Sequence, residues 1–129
     1  MAVYLDSSAI VKLAVLEPES EALRRHLRRR RPLVSSALAR TEVLRALLPA
    51  GDEAVAAGRR VLASLDIVRL NDRVLDRAAT LLPTTLRSLD AIHLATAARL
   101  GSDLSEIVTY DDRMAEAARA LGHRVSAPT

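Results

Sequence analysis

Short apolar runs along this chain alternate with longer stretches in which apolar residues recur every three or four positions. Val3, Tyr4 and Leu5 form the first run. β-Branched and aromatic residues with no polar alternation predict a strand buried on both faces. Polarity breaks at Asp6, where Ser7 and Ser8 can cap a helix continued by Ala9, Ile10, Val11, Leu13 and Ala14. A second helix restarts at Glu17-Pro18-Glu19 and is expected to run to about Arg31, where Pro32 stops it. Leu33-Val34 is a very short strand candidate, followed by Ser35 and Ser36 as caps. The next helix spans Ala37 to Leu48 and ends at Pro49-Ala50-Gly51; Asp52 then caps another, through about Ser64. Residues 66–70 read as a strand, and Asn71-Asp72 caps a helix to Leu82, before Pro83. Ser88 caps a helix from Leu89 to Leu100, closed by Gly101. Ile107 to Tyr110 is β-rich, a helix follows from Arg113 to Leu121, and residues 124–126 supply a last strand.

The resulting order is strand, two helices, strand, two helices, strand, two helices, strand, helix, strand. Strands alternating with helices predict an α/β fold whose parallel sheet is covered on both faces. At 129 residues, half of them hydrophobic, the chain suits a single domain spanning residues 1–129 with one real core. It has no run of 18 apolar residues and no signal-peptide pattern, which predicts a cytoplasmic protein without a membrane partner.

Composition narrows the chemistry. The absence of cysteine removes disulfides, thiolate metal sites and cysteine nucleophiles. Only His26, His93 and His123 could offer imidazole, so a metal would be held mainly by oxygen, which suits Mg²⁺ or Mn²⁺. The net charge is +3, and Lys12 is the only lysine among the cations. Arginine favours phosphate through its planar fork. Arg28, Arg29, Arg30 and Arg31 therefore have two readings, a solvated helix end that complements the macrodipole or an RNA-phosphate patch. Tyr4 and Tyr110 are the only aromatics, which argues against a base-stacking platform.

Acid placement is more informative than acid number. Asp6 and Asp111 each follow an apolar strand and precede a helix. Asp90 lies in the first turn of its helix, and Glu42 lies just over one turn into a helix that follows a short strand. Taken singly, Asp6 could be only a helix cap. In a parallel sheet, however, all four acids fall at the carboxyl edge, where ligands of open α/β sheets bind. Their mutual repulsion would be relieved by a divalent cation able to activate water against a phosphodiester.

The chain resembles the PIN-domain ribonucleases, and in particular the VapC toxins of bacterial toxin–antitoxin pairs. The resemblance rests on LDSSAIVKL at 5–13, SSALARTEVLR at 35–45, LRSLDAIHLATA at 86–97 and VTYDDRMAEAA at 108–118, with EPESEAL at 17–23 also fitting. It spans essentially the whole chain, and the stretch around Asp90 is the most specific. It implies a three-layer sandwich with a parallel sheet of four or five strands and an acidic pocket for Mg²⁺ or Mn²⁺. It further implies an RNA endonuclease, a cognate VapB-type antitoxin that blocks the pocket, and a homodimer. The family's acids fall on Asp6, Glu42, Asp90 and Asp111, with Asp112 as a competitor for the fourth place. Ser7 and Thr109 are expected as supporting hydroxyls beside them. His93, one turn after Asp90, reads either as a general base or as a structural histidine. Lys12 and Arg45 read as phosphate contacts or as solvated or ion-paired side chains.

Two rival readings keep the fold without the nuclease. A phospho-acceptor receiver would need an acceptor Asp after the middle strand and a late lysine, whereas residues 68–71 are Val-Arg-Leu-Asn and no lysine follows Lys12. A catalytically silent PIN-like interaction module would be expected to have lost a pocket acid, and none is missing.

Overall fold

The computed structural model describes residues 1–129. Five strands, β1 (Ala2–Leu5), β2 (Leu33–Ser36), β3 (Asp66–Val68), β4 (Leu104–Val108) and β5 (Val125–Ser126), form one sheet in the order β3-β2-β1-β4-β5. Every pairing is parallel. The helices are α1 (Ser7–Ala14), α2 (Ser20–Leu27), α3 (Ala39–Leu47), α4 (Asp52–Ala63), α5 (Asp72–Ala79), α6 (Ser88–Ala98) and α7 (Asp112–Ala120).

Strand β1 sits in the middle and is buried at every position. Because successive strand residues face opposite sides, Val3 and Leu5 enter a core with α1 to α4, while Ala2 and Tyr4 enter a second core with α6 and α7. Helix α5 lies outside α6, joined through Val74, Ala78, Ala91 and Ala95. The result is a three-layer α/β sandwich. On the α1–α4 side, α3 and α4 approach closely at Gly58, where a Cβ would come within 2.5 Å of a Leu47 methyl. A larger residue there would force Leu47 and Leu44 to repack.

The connections leave β1 toward β2 on one side, and the chain later returns on the other side as β4. The carboxyl ends of β1 and β4 therefore flank a topological switch point, the usual position of a ligand crevice in such sheets. Asp6 follows β1 directly, and Thr109 to Asp111 follow β4.

Element boundaries differ from the sequence reading in instructive places. Helix α2 stops at Leu27, four residues short of Arg31. Pro32 disfavours helical geometry at the residue before it, and the chain must reverse here to enter β2. Ser35 and Ser36 belong to β2 rather than preceding it as caps. The Ser35 hydroxyl donates to the Leu5 carbonyl, and the Ser36 hydroxyl accepts from the Leu38 N–H. The N-cap of α4 is Gly51, whose φ of 100° suits glycine, and Asp52 is the first helical residue.

Candidate active site

Asp6 is the N-cap of α1, in an extended conformation. Its Oδ1 accepts from the Ser8 hydroxyl at 2.6 Å and the Ala9 N–H at 3.1 Å, and its Oδ2 accepts from the Thr109 hydroxyl at 2.5 Å. The side chain is buried, and burial pushes its carboxyl above the ordinary range despite these donors. Cap and candidate ligand are thus the same residue: one carboxylate serves the helix while standing at the sheet edge.

Thr109 joins the two central strands. While its hydroxyl donates to Asp6, its oxygen accepts the Asp111 N–H at 3.1 Å. Asp111 is itself the N-cap of α7, with Oδ1 taking the Met114 N–H at 3.0 Å. Its Oδ2 receives the Arg87 guanidinium at 2.8 Å. Burial opposes the Asp111 charge, but the Met114 N–H and Arg87 outweigh it and hold the carboxyl below the usual range. Arg87 also meets Asp90, its Nε donating to Oδ2 at 3.0 Å. Asp6, Thr109, Asp111, Arg87 and Asp90 thus form one continuous polar chain along the carboxyl edge.

Glu42 enters from α3. Its Oε1 accepts from the Ser7 hydroxyl at 2.7 Å and from His93 Nε2 at 2.6 Å. The other ring nitrogen, Nδ1, is 2.7 Å from the Tyr4 hydroxyl. Tyr4 and His93 are both buried, and their rings meet edge to face at 5.9 Å. Burial works against the Glu42 charge; the His93 and Ser7 hydrogen bonds and the attraction of His93 overcome it, so its carboxyl lies below the usual range. With a carboxylate on Nε2 and a phenol on Nδ1, His93 has no nitrogen left for a substrate. The structure favours a positioning role over a general base.

The other sequence candidates are placed differently. Asp112 is exposed and outside the polar chain, so Asp111 is the acid joined to it. Lys12 is committed elsewhere: it pairs with Glu19 at 2.8 Å and Glu17 at 3.6 Å and lies 4.9 Å above the Tyr110 ring. Arg45 is exposed, close to one turn beyond Glu42. Arg28 to Arg31 precede β2 and so lie at the amino edge, opposite the acids. Arg30 and Arg31 donate to the His26 and Leu27 carbonyls at the end of α2, the helix-end role.

The arrangement is looser than the sequence implied. No three of its carboxylates and histidines are gathered into one ligand-ready cluster. Asp6 and Glu42 are held by hydroxyls and His93, and Asp90 and Asp111 are bridged by a guanidinium. The donor set still suits a hard divalent cation. It consists of carboxylate oxygens, with hydroxyls supporting them, and Glu42 Oε2 and Asp90 Oδ1 make no hydrogen bond within the chain. Sequence reasoning missed Ser8, Tyr4 and Arg87. Arg87 had a usable signal, since it lies three residues before Asp90 at the start of a helix, and side chains at that spacing share a face.

The PIN domain family model matches residues 3–120. The chain is 67% identical over 128 residues to "Ribonuclease VapC46" of Mycobacterium tuberculosis, covering 99% of this chain and 98% of that protein. The chain belongs to the PIN-domain family, among the VapC ribonucleases. It is 45% identical over 130 residues to "Ribonuclease VapC35" of the same species, covering 98% of this chain and 96% of the relative. Among solved structures it is similar to M. tuberculosis VapC20, described as a sarcin-ricin loop cleaving toxin, with a TM-score of 0.79 at 16% identity over 98% of this chain and 99% of that one. A toxin–antitoxin complex from Klebsiella pneumoniae gives a TM-score of 0.73 at 21% identity, over 98% of both chains. At these identities the structural likeness establishes the VapC-type PIN fold alone, while the closer relatives carry the family assignment.

Proposed function

We propose that this VapC chain is the toxin of a toxin–antitoxin pair and cleaves RNA internally, using a divalent cation, Mg²⁺ or Mn²⁺, held by Asp6, Glu42, Asp90 and Asp111. The observation that carries this reading is the polar chain at the switch point, which ties acids from three separate elements to one sheet edge. The names of the VapC relatives support the ribonuclease activity. A cation held by these acids would supply activation of water and stabilisation of charge on the phosphodiester.

The protein's own part is preorganisation. Ser8, the Ala9 N–H and Thr109 fix both Asp6 oxygens. Ser7 and His93 fix one Glu42 oxygen and leave the other free to take a ligand. Tyr4 holds the far side of the His93 ring, so the Glu42 orientation is set from within the core. The caps at Asp6 and Asp111 couple the acids to the rigid ends of α1 and α7, which limits their drift when charge changes nearby.

A cognate VapB-type antitoxin is the proposed partner, supported by the toxin–antitoxin complexes among the similar structures. A homodimer is proposed from the exposed Leu75, Leu82 and Leu89 around α5 and α6. A cytoplasmic location follows from this role, and no helix is long and apolar enough to cross a membrane. Incubating the purified protein with total cellular RNA, with and without Mg²⁺ or Mn²⁺, and mapping new 5′ ends tests the activity. Discrete metal-dependent ends are expected; equal cleavage in chelator would refute the mechanism.

A further inference from the structure

Arg87 occupies an unusual place. It stands just ahead of α6, and its guanidinium meets Asp90 at 3.0 Å and Asp111 at 2.8 Å. These are two of the acids proposed to hold the cation. The side chains of Arg87 and Asp111 are 51% and 35% exposed, so that pair faces water, while the Asp90 side chain is 15% exposed. Exposed ion pairs are weak and exchange readily. Arg87 also lines a cleft of about 410 Å³ beside the acids, together with Pro83, Leu86, Asp90, Arg113 and Glu116. Neither Arg113 nor Glu116 has an ion-pair partner within the chain.

We propose that Arg87 is the resident counter-cation of this site: without a divalent ion it holds Asp90 and Asp111 together, and with one bound it releases them and takes an RNA phosphate in the cleft it lines. Two like charges brought to one edge need a cation to stay there. A guanidinium supplies one without blocking exchange, because Arg87 itself is half exposed and its contact with Asp111 faces solvent. A divalent ion at the same carboxylates competes directly with it. Once released, the planar fork matches a phosphate in two parallel hydrogen bonds, which a lysine would not reproduce. Arg113 on the same cleft gives the strand a second cation to follow. The two carboxylates that pair with Arg87 occupy its donors until the metal arrives, so RNA engagement becomes coupled to metal loading.

Arg87 can play this part only if the acids take a metal as proposed above, and the experiment separates the two. Mn²⁺ binding is measured by calorimetry at low ionic strength for the full chain and for Arg87→Met and Arg87→Lys, with circular dichroism confirming the fold. Loss of the competing charge should tighten Mn²⁺ binding by on the order of threefold in Arg87→Met, with Arg87→Lys between it and the parent. At saturating Mn²⁺, Arg87→Met should raise KM for a single-stranded RNA oligonucleotide far more than it lowers kcat. The salt dependence of kcat/KM should become shallower by about 0.7, the value of one lost single-strand phosphate contact. Unchanged or weaker Mn²⁺ binding in Arg87→Met overturns the counter-cation role, and an unchanged KM overturns the phosphate contact. A parent chain that binds no Mn²⁺ refutes the metal-dependent reaction and the proposal with it.

Discussion

Thr109 is the residue on which the two halves of the site meet, so replacing it with valine isolates what the polar chain contributes. Valine keeps the shape and puts a methyl where the hydroxyl was. Two hydrogen bonds disappear, along with a long contact of 3.4 Å to the Ser8 hydroxyl. One is the 2.5 Å donation to buried Asp6, and the other is the acceptance of the Asp111 N–H. A hydrogen bond to a charged group contributes about 1.5–3 kcal/mol, and a backbone N–H left without its acceptor costs roughly 1 kcal/mol more. We therefore expect Thr109→Val to cost about 3 kcal/mol. Unfolding entropy scales at about 2.1 cal/mol/K per residue. For 129 residues each kcal/mol then moves Tm by roughly 4 °C, so Tm should fall by about 11 °C. Thr109→Ser is the control, since it keeps the hydroxyl and loses only a buried methyl, about 1 kcal/mol.

Thermal and urea unfolding in chelator at neutral pH measure both variants. The pH dependence sharpens the test. The Thr109 hydroxyl favours the ionised form of Asp6, so its loss raises that carboxyl further. The valine penalty should shrink as the pH falls and Asp6 takes a proton. A Thr109→Val protein as stable as Thr109→Ser at neutral pH, or a penalty that grows on acidification, would refute the account of Thr109 as the joint of the site.

Asp6→Asn and Asp90→Asn should each abolish metal-dependent RNA cleavage while leaving the fold intact by circular dichroism; full activity in Asp90→Asn would defeat the mechanism. If water attacks as proposed, and not the RNA 2′-hydroxyl, products should carry 5′-phosphate and 3′-hydroxyl ends; a cyclic phosphate found by mass spectrometry would exclude this. Burial raises the Asp6 carboxyl above its unfolded value, so the folded state binds the extra proton between those two values. The stability that Asp6 contributes relative to Asp6→Asn is therefore complete below its unfolded pKa and lost as pH rises through its folded pKa; urea titrations in chelator showing the opposite slope would contradict the burial argument. Replacing Arg28 to Arg31 with alanine should leave the salt slope of RNA binding unchanged, because they lie at the amino edge of the sheet, and a slope flattened by about 0.7 per residue would restore them as RNA contacts.

The fold was legible because its signals are local. The apolar runs, the prolines at 18, 32, 49 and 83, and the glycines at 101 and 122 mark the turns between elements, and they yield five strands and seven helices in the observed order. Boundaries slipped where a local signal met a tertiary demand. The arginine run is compatible with helix, but the need to turn into β2 ended α2 at Leu27. Ser35 looks like a cap in sequence, yet its hydroxyl is spent on the Leu5 carbonyl of the neighbouring strand, a partner 30 residues away. The acids were visible through their positions relative to strands. What balances them was not, because Arg87 reaches Asp111 across 24 residues and His93 reaches Glu42 across 51. Side-chain partners at such separations leave no periodicity to read.

Those balancing partners explain how a fold can carry four acids at one edge before any metal arrives. Each acid is accommodated by a different device. Asp6 is buried among neutral donors, and burial raises its carboxyl above the ordinary range. Glu42 stays ionised on a histidine that is anchored from the core by Tyr4. Asp90 and the more exposed Asp111 share a guanidinium. The first two devices are built into the core, where moving them means repacking β1 and α6. The third lies at the surface, where it can exchange without cost to the fold. Under the proposed metal-dependent reaction, a cation would displace the exposed Arg87 contact with Asp111 more readily than the buried contacts of Asp6. The charge at this edge is thus balanced in two ways, by contacts built into the core and by a half-exposed guanidinium.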